Sequence, residues 1–277
     1  MKTKIFQKIY KTKIKDRKIL LVEGSDKIDF LQNIISNNIE LVSKFCSIYS
    51  TLLSPQGKFL FDFIIFRGTE DKNLYIDCHE SRCSDLVKLL NLYMLRKNIK
   101  ISSTNINEVT LIYGNCEKLF QKLNLKPSEG FTQIINNNIF TVDPRSKNLG
   151  IRIYSFNKIL PSEILDIAFK PKSKYEKTRI NSRIPDGNMD LEIGKSFLIE
   201  NNFESLNAID FNKGCYIGQE NTARQKYRGT SKRLLAKIEI CGPKIPIGQE
   251  IIINNKKVGT IRSSEENIGL AIKQKKS

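Results

Sequence analysis

The order of strands and helices along the chain is the feature that most limits its fold. Hydrophobic patterning predicts a strand at 18–24, a helix after it, and two strand-like segments at 44–53 and 58–67 that flank a Ser-Pro-Gln-Gly turn at 54–57. A second amphipathic helix is predicted over 84–97. This mixture has no regular βαβ rhythm, and no P-loop or G-x-G-x-x-G motif follows a strand. The sequence therefore predicts an α+β protein.

The C-terminal part has a different pattern. From Arg233 onward, short β segments alternate with Gly and Pro, which indicates a small C-terminal β-barrel. A chain of 277 residues is long enough for two or three compact domains. We divide it into a basic N-terminal extension at 1–17, an N-terminal α+β region at 18–145, a middle region at 146–232 and the small barrel at 233–277.

The charge is strongly positive, with 46 basic residues against 29 acidic ones and a net charge of +17. Nucleic acid and anionic membrane surfaces are the partners that such a charge suggests. Lysine supplies 34 of the 46 basic residues, which is typical of an AT-rich genome, and no nucleic-acid-reading motif accompanies them. Residues 1–18 alone carry eight basic side chains and one acid. We interpret this tail as a disordered bacterial extension without function, and expect no specific nucleic-acid binding.

Other classes of protein are excluded by what the sequence lacks. No stretch approaches the ~20 apolar residues of a membrane helix, and no export signal is recognised. We therefore expect a monomer in a bacterial cytoplasm, with reduced thiols and no membrane partner. The only histidine, His79, is predicted in a loop or at the surface, and no metal site is expected. The six cysteines show no zinc-ligand spacing: Cys46, Cys78, Cys83, Cys116, Cys215 and Cys241.

The segment KGCYIGQENTARQKYRG at 213–229 carries the chemistry. Two glycines four residues apart, with Cys215 between them, predict a tight loop that another molecule can approach closely. Lys213 and Arg224 would favour the thiolate of Cys215. If a helix begins near Gly218, Glu220 and Arg224 can pair on its surface. The alternative is a buried, inert cysteine in an ordinary turn.

This segment closely resembles the signature of the YgfZ family. That family includes mitochondrial iron–sulfur assembly relatives, binds folate and is related to the glycine-cleavage T-protein, an aminomethyltransferase. Over about residues 18–265 other segments agree in order, although Arg183 stands where the family pattern has glycine. These segments are LVEGSD at 21–26, LSPQGK at 53–58, DPR at 143–145, LGIR at 149–152, FLIE at 197–200 and IDF at 209–211.

The resemblance implies three modules around a central cavity that holds tetrahydrofolate. Glu200 is the leading pterin ligand, since a carboxylate can accept two hydrogen bonds from the amino–ring NH edge. The alternative is a Glu200 that faces solvent. Tyr216 and Tyr227 could stack on the folate or pack against the C-terminal barrel. Cys215 and Lys213 are the predicted catalytic pair, and the predicted folate-binding residues are Asp62, Glu200, Tyr216, Gln219, Glu220 and Arg224.

Two functions fit the resemblance. One is a folate-binding accessory protein for assembly, insertion or repair of iron–sulfur (4Fe-4S) clusters, with assembly machinery or client apo-enzymes as partners. The other is a tetrahydrofolate-dependent aminomethyltransferase. The transferases resemble Gly-x-x-x-Asp-Asp after the hairpin turn, where this chain has Phe61-Asp62, and they lack the signature cysteine. Both differences favour the accessory protein. A third hypothesis, RNA binding, rests on the acid-free basic run at 226–237.

Overall fold

The computed structural model describes residues 8–68, 72–104, 106, 109–156, 160–240, 245–253 and 255–275. Its helices are α1 (Lys27–Ile34), α2 (Cys83–Met94), α3 (Glu117–Lys122), α4 (Ser162–Leu165), α5 (Lys172–Asn181) and α6 (Gln219–Tyr227). Its strands are β1 (Ile9–Ile14), β2 (Arg17–Glu23), β3 (Ile48–Leu53), β4 (Phe59–Arg67), β5 (Leu74–His79), β6 (Lys100–Ser103), β7 (Val109–Gly114), β8 (Thr132–Ile135), β9 (Asn138–Val142), β10 (Ile151–Ser155), β11 (Arg233–Glu239), β12 (Glu250–Ile253), β13 (Lys256–Glu265) and β14 (Ile268–Gln274).

Three antiparallel sheets organise these strands. The first has the order β3-β4-β5-β2-β6, and helices α1 and α2 bury their apolar faces in its hydrophobic cluster. The predicted hairpin is confirmed, because β3 and β4 pair around the 54–57 turn. Gly57 closes that turn at φ +73°, a left-handed conformation that favours glycine. Among the described residues, no helix has the length and hydropathy that crossing a membrane requires.

The second sheet has the order β1-β7-β10-β9-β8, and it corrects one prediction. Residues 9–14 are not disordered, because β1 pairs with β7 and places Tyr10 opposite Tyr113. Thr12 and Ile14 are buried, whereas Lys13 between them is exposed on the other face of the strand. The charge count obscured this two-residue alternation, which is the sequence signal of an edge strand. The remainder of the predicted tail, residues 1–7, lies outside the described residues.

The first two sheets pack against each other. Their facing surfaces form a shared hydrophobic cluster, in which the rings of Phe66 and Tyr154 stack with centroids 4.1 Å apart. Within this interface lies a network of buried ions. Asp77 accepts hydrogen bonds from Arg17 Nε at 2.6 Å and Arg152 Nη1 at 3.0 Å, and Arg152 also donates to Asp143. The predicted division at 145/146 falls inside the second sheet, between β9 and β10.

The third sheet has the order β11-β14-β13-β12 and forms the C-terminal module. Within the described part of the chain, β11 and β12 are its two outer strands, so the predicted closure into a barrel is not confirmed. Helix α5 covers one face, where Ile180 joins a small cluster with Leu235 and Leu270. Residues 241–244 and 254, and with them Cys241, lie outside the described residues.

Deleting residues 2–15 is expected to lower the free energy of unfolding by about 3 kcal/mol or more. The deletion removes β1 and exposes the apolar surface that Ile14 covers, and one fully buried side chain of this size accounts for roughly 1.5–3 kcal/mol. Chemical denaturation measures the change. Deletion of residues 2–7 is the control, because it leaves β1 complete. Equal stability of the two truncated proteins would contradict the strand's role.

Candidate functional site

The loop at 213–218, here called the signature loop, packs against the hairpin turn at 54–57 in the first sheet. Gly218 precedes α6 at φ +82°, and a Cβ added there would lie 2.5 Å from the Ser54 carbonyl oxygen. A Cβ on Gly57 would lie 2.8 Å from Cβ of Asn221. Asn221 Nδ2 also donates to the Gln56 carbonyl oxygen at 2.8 Å. Glycine is therefore required on both sides of this contact, which fixes the signature loop against the turn that leads into β4.

Lys213 anchors the other end of the loop. Its ammonium is buried and donates to the carbonyl oxygens of Gln32, Ile35 and Asn37 at 2.7, 2.8 and 2.8 Å. Gln32 lies in the last turn of α1 and Ile35 caps it, where a helix leaves acceptors unpaired, and Asn37 follows two residues later. Burial lowers the pKa of Lys213 to about 8, so the group remains mostly charged at neutral pH. Lys213 therefore binds the end of helix α1. This differs from the prediction, in which its charge favours the thiolate of Cys215.

Replacing Lys213 by methionine is expected to destabilise the fold by about 1–3 kcal/mol, because three buried carbonyl groups lose a charged donor. Methionine retains most of the aliphatic stem, so the loss of stability measures the contribution of the ammonium group. Thermal and urea unfolding measure it. Lys237→Met, at an exposed position, is the control. If Lys213→Met were as stable as that control, the ammonium would not anchor the loop.

Cys215 lies on the exposed part of the loop. An added Cβ on the neighbouring Gly214 would meet no atom within 4 Å, so the backbone beside the thiol is open. The alternative of a buried cysteine is therefore wrong. The predicted helix start is confirmed by α6, as is the surface pair, in which Arg224 Nη2 donates to Glu220 Oε1 at 2.7 Å. Arg224 is thus paired with a carboxylate.

Asp62 lies on β4 in a confined position. Tyr49 donates its hydroxyl to Asp62 Oδ2 at 2.8 Å, and a Cβ on Gly187 would lie 1.9 Å from Oδ1. Burial raises the pKa of the Asp62 carboxyl. The crevice beside it, which His79 and Asn188 also line, has a volume of about 10 Å³. That space holds about one water molecule, so the predicted central folate cavity is not confirmed.

Glu200 is buried, which excludes the solvent-facing alternative. Its Oε2 accepts a hydrogen bond from Arg233 Nε on β11 at 3.0 Å, and Arg233 Nη2 lies 2.9 Å from the same oxygen. One oxygen of the carboxylate is therefore already engaged by a guanidinium. Tyr216 is buried in the core between the first two sheets, whereas Tyr227 is exposed and meets Phe211 edge-on at 5.9 Å.

The other predicted site residues lie near the loop. Gln219 and Glu220 open α6, so they lie beside the clamped turn. A wide groove of about 1620 Å³ lies elsewhere, beside β1, β7 and α5, and none of the predicted site residues lines it. Tyr10, Tyr113 and Lys170 are among its walls. Within the described residues, no group of three or more His, Cys, Asp or Glu side chains is placed to hold a metal ion.

The chain is similar to known proteins both in sequence and in fold. The iron–sulfur cluster assembly factor IBA57 homolog, mitochondrial, of Neurospora crassa is 30% identical over 252 residues, which is 85% of this chain and 55% of that protein. The human iron–sulfur cluster assembly factor IBA57, mitochondrial, is 26% identical over 275 residues, covering 92% of this chain and 75% of its own length. The chain spans little more than half of the fungal relatives it matches. No protein-family model matches it.

A solved structure establishes the fold. The glycine cleavage system aminomethyltransferase T from Bartonella henselae superposes with a TM-score of 0.72 over 96% of this chain and 78% of its own, at 14% identity. The predicted relation to the glycine-cleavage T-protein fold is confirmed. The predicted location is wrong, because these IBA57 relatives are mitochondrial proteins rather than bacterial cytoplasmic ones. A lysine-rich composition does not report the compartment, which is why it misled that prediction.

Proposed function

We propose that the chain belongs with the iron–sulfur cluster assembly factors it is similar to, and that it is a folate-binding accessory protein. In this proposal it serves the assembly, insertion or repair of 4Fe-4S clusters, and it meets assembly machinery or client apo-enzymes. The similarity to several such factors supports the role, and the fold is shared with a glycine cleavage system aminomethyltransferase.

The observation that carries the proposal is the placement of Cys215. Its thiol is exposed on a loop whose two ends are fixed, at Lys213 by three hydrogen bonds and at Gly218 by the hairpin. Thiolate sulfur is the usual protein ligand of iron–sulfur clusters. A fixed and accessible thiol can present one ligand to a cluster carried by a partner, which is what transfer requires.

The aminomethyltransferase alternative rests on the fold similarity. Phe61 argues against this alternative, because it occupies the position of the first acid in the transferase pattern. Its ring is buried in the core of the first sheet, with the Arg82 guanidinium 4.7 Å from its centroid. Only Asp62 supplies a carboxylate there. We therefore expect no methylene transfer from an aminomethylated carrier protein, and measurable turnover would favour the transferase.

Tetrahydrofolate remains the proposed cofactor. Glu200 is a buried carboxylate whose Oε2 is paired with a guanidinium, so the pterin edge would replace Arg233 as its partner. Asp62 belongs to the same proposed set, and the crevice beside it, which holds about one water molecule, would have to widen for the ligand to enter. The proposed folate-binding set also includes Tyr216, Gln219, Glu220 and Arg224. The chemistry that tetrahydrofolate supplies when bound is the carriage of a one-carbon unit.

Calorimetric titration with tetrahydrofolate tests the cofactor. We expect wild-type protein to bind and Glu200→Gln to bind at least tenfold more weakly, a loss of about 1.4 kcal/mol, because the amide oxygen carries no charge. Glu204→Gln is the matched control, since Glu204 is exposed and pairs with Lys226. Absence of binding by the wild type would remove folate from the proposal. The proposed role in iron–sulfur cluster assembly would then depend on Cys215 alone.

A further inference from the structure

The wide groove beside β1, β7 and α5 has a lining that the proposed function does not use. Neither Cys215 nor Glu200 is among the residues that line it. Five lysines line the described part of the groove, and Glu117 is the one acidic residue beside them. The lysines come from separate segments of the chain and are Lys8, Lys126, Lys147, Lys170 and Lys174. Folding therefore brings positive charge to this groove from segments that are distant in sequence.

Most of this charge has no acidic partner. Lys174 pairs with Glu266 at 2.5 Å, but none of the other four lysines forms an ion pair with a carboxylate of the described residues. All four are exposed to solvent. The Lys170 ammonium lies 5.7 Å from the centroid of the Tyr10 ring, which is another wall of the groove. Like charges around one groove repel each other, and an anionic ligand would reduce that repulsion.

The rest of the lining combines apolar surface with uncharged hydrogen-bonding groups. Phe120, Pro127 and Phe131 supply the apolar surface. Tyr113, a further wall, has a buried hydroxyl without a hydrogen-bond partner among the described residues. A carbonyl or carboxylate of a bound chain would give this hydroxyl the acceptor that it lacks. Side-chain amides that can bind a peptide backbone also line the groove, at Asn115, Gln121, Asn124, Asn148 and Asn181.

We propose that this groove binds an acidic segment of a partner protein, in which carboxylates alternate with apolar side chains. The carboxylates would pair with the unpaired lysines, and the apolar side chains would pack against Phe120 and Phe131. The groove has a volume of about 1620 Å³, which exceeds the ~300–1,000 Å³ of typical small-molecule sites. This size favours a segment of polypeptide over a single small ligand.

Single-stranded nucleic acid is the competing polyanion, and the lining favours it less. Proteins that bind it stack bases on free aromatic faces, and arginine is the side chain best matched to phosphate. No arginine is among the described residues of the lining. The Tyr113 ring is only 3% exposed, and it packs against Tyr10 and Tyr175 with centroids 5.9 and 5.6 Å away. That ring therefore offers no free face to a base.

Fluorescence anisotropy on the full-length protein tests the proposal. The probe is a short fluorescein-labelled peptide in which Glu alternates with Leu and Phe. Two probes of equal charge are compared with it: a peptide in which Ser replaces Leu and Phe, and a single-stranded oligouridylate. We expect the first peptide to bind about tenfold more tightly than either comparison probe. Its affinity should fall as salt is added, because salt screens pairs between exposed charges.

A charge-reversal variant locates the binding. Lys126→Glu combined with Lys147→Glu should weaken binding of the first peptide about tenfold or more, because two attractive charges become repulsive. Both positions are exposed, so we expect an unchanged melting temperature. Lys88→Glu combined with Lys256→Glu is the matched control. It changes the net charge equally at exposed positions outside the groove, and it should bind as the wild type does.

The proposal is overturned if the wild type binds none of the probes, or if it binds the two peptides equally, since charge alone would then explain the attraction. Tighter binding of oligouridylate would make the groove a nucleic-acid site instead. These results are read on the wild type, so they do not depend on the folding of a variant. Equal affinities of the groove variant and the control variant would show that the peptide binds elsewhere. Because neither Cys215 nor Glu200 lines the groove, each of these results leaves the proposed function to its own tests.

Discussion

Replacing Asp77 by alanine is expected to lower the free energy of unfolding by about 3–5 kcal/mol. The carboxylate is fully buried between the first two sheets, and it accepts from Arg17, Arg152 and the Tyr154 hydroxyl, the last at 2.8 Å. Without it the Arg17 guanidinium, whose side chain is only 13% exposed, loses its carboxylate partner, and Arg152 loses one of its two. Because these charges are largely desolvated, the cost exceeds that of breaking a surface ion pair. Urea unfolding followed by circular dichroism measures the loss.

The control is an ion pair of similar length at the surface. Asp29 pairs with Lys97 at 2.5 Å, but both side chains are well exposed. Asp29→Ala should unfold close to the wild-type midpoint, since solvent screens such a pair. If both variants lost equal stability, the buried network would be no more important than a surface contact.

Replacing Cys215 by alanine is expected to abolish complementation in a strain deficient in iron–sulfur enzyme maturation, with no loss of stability. The thiol is exposed, and Gly214 beside it has open space, so alanine leaves no cavity. The loss would then report chemistry at the sulfur rather than folding. The activity of a 4Fe-4S client enzyme in cell extracts, together with the melting temperature of the purified variant, provides the measurement.

Cys46→Ala is the matched control, because Cys46 is a thiol distant in sequence from the signature loop, and it should complement as the wild type does. Full complementation by Cys215→Ala would show that the signature thiol serves only the loop. The proposed role in iron–sulfur cluster assembly would then lose its supporting observation, which is the placement of the Cys215 thiol. Tetrahydrofolate binding would be unaffected by that result, since it is tested at Glu200.

Local patterns predicted the parts of the fold that local sequence determines. The hairpin around 54–57, the helix over 84–97 and the helix that begins after Gly218 all follow from turn residues and helical spacing. Arg183 shows where such reasoning reaches its limit. It stands where the family pattern has glycine, yet its backbone keeps φ +57°, so the turn survives with a strained residue.

The site was predicted less completely, because its contacts join distant segments. Nothing near Lys213 in sequence indicates that its ammonium reaches the end of α1, more than 170 residues earlier. The signature motif identified Cys215 and its loop, but not the partners that hold the loop in place.

The pairing of β1 with β7 has a consequence for the order in which the protein can form during synthesis. Ile9–Ile14 leaves the ribosome about a hundred residues before its partner Val109–Gly114, whereas Arg17–Glu23, which follows it directly, enters the first sheet. Until the partner emerges, the nascent chain carries an unpaired strand ahead of a growing sheet. A pause in translation between these segments would prolong the time in which that strand is open to chaperones or to misassembly.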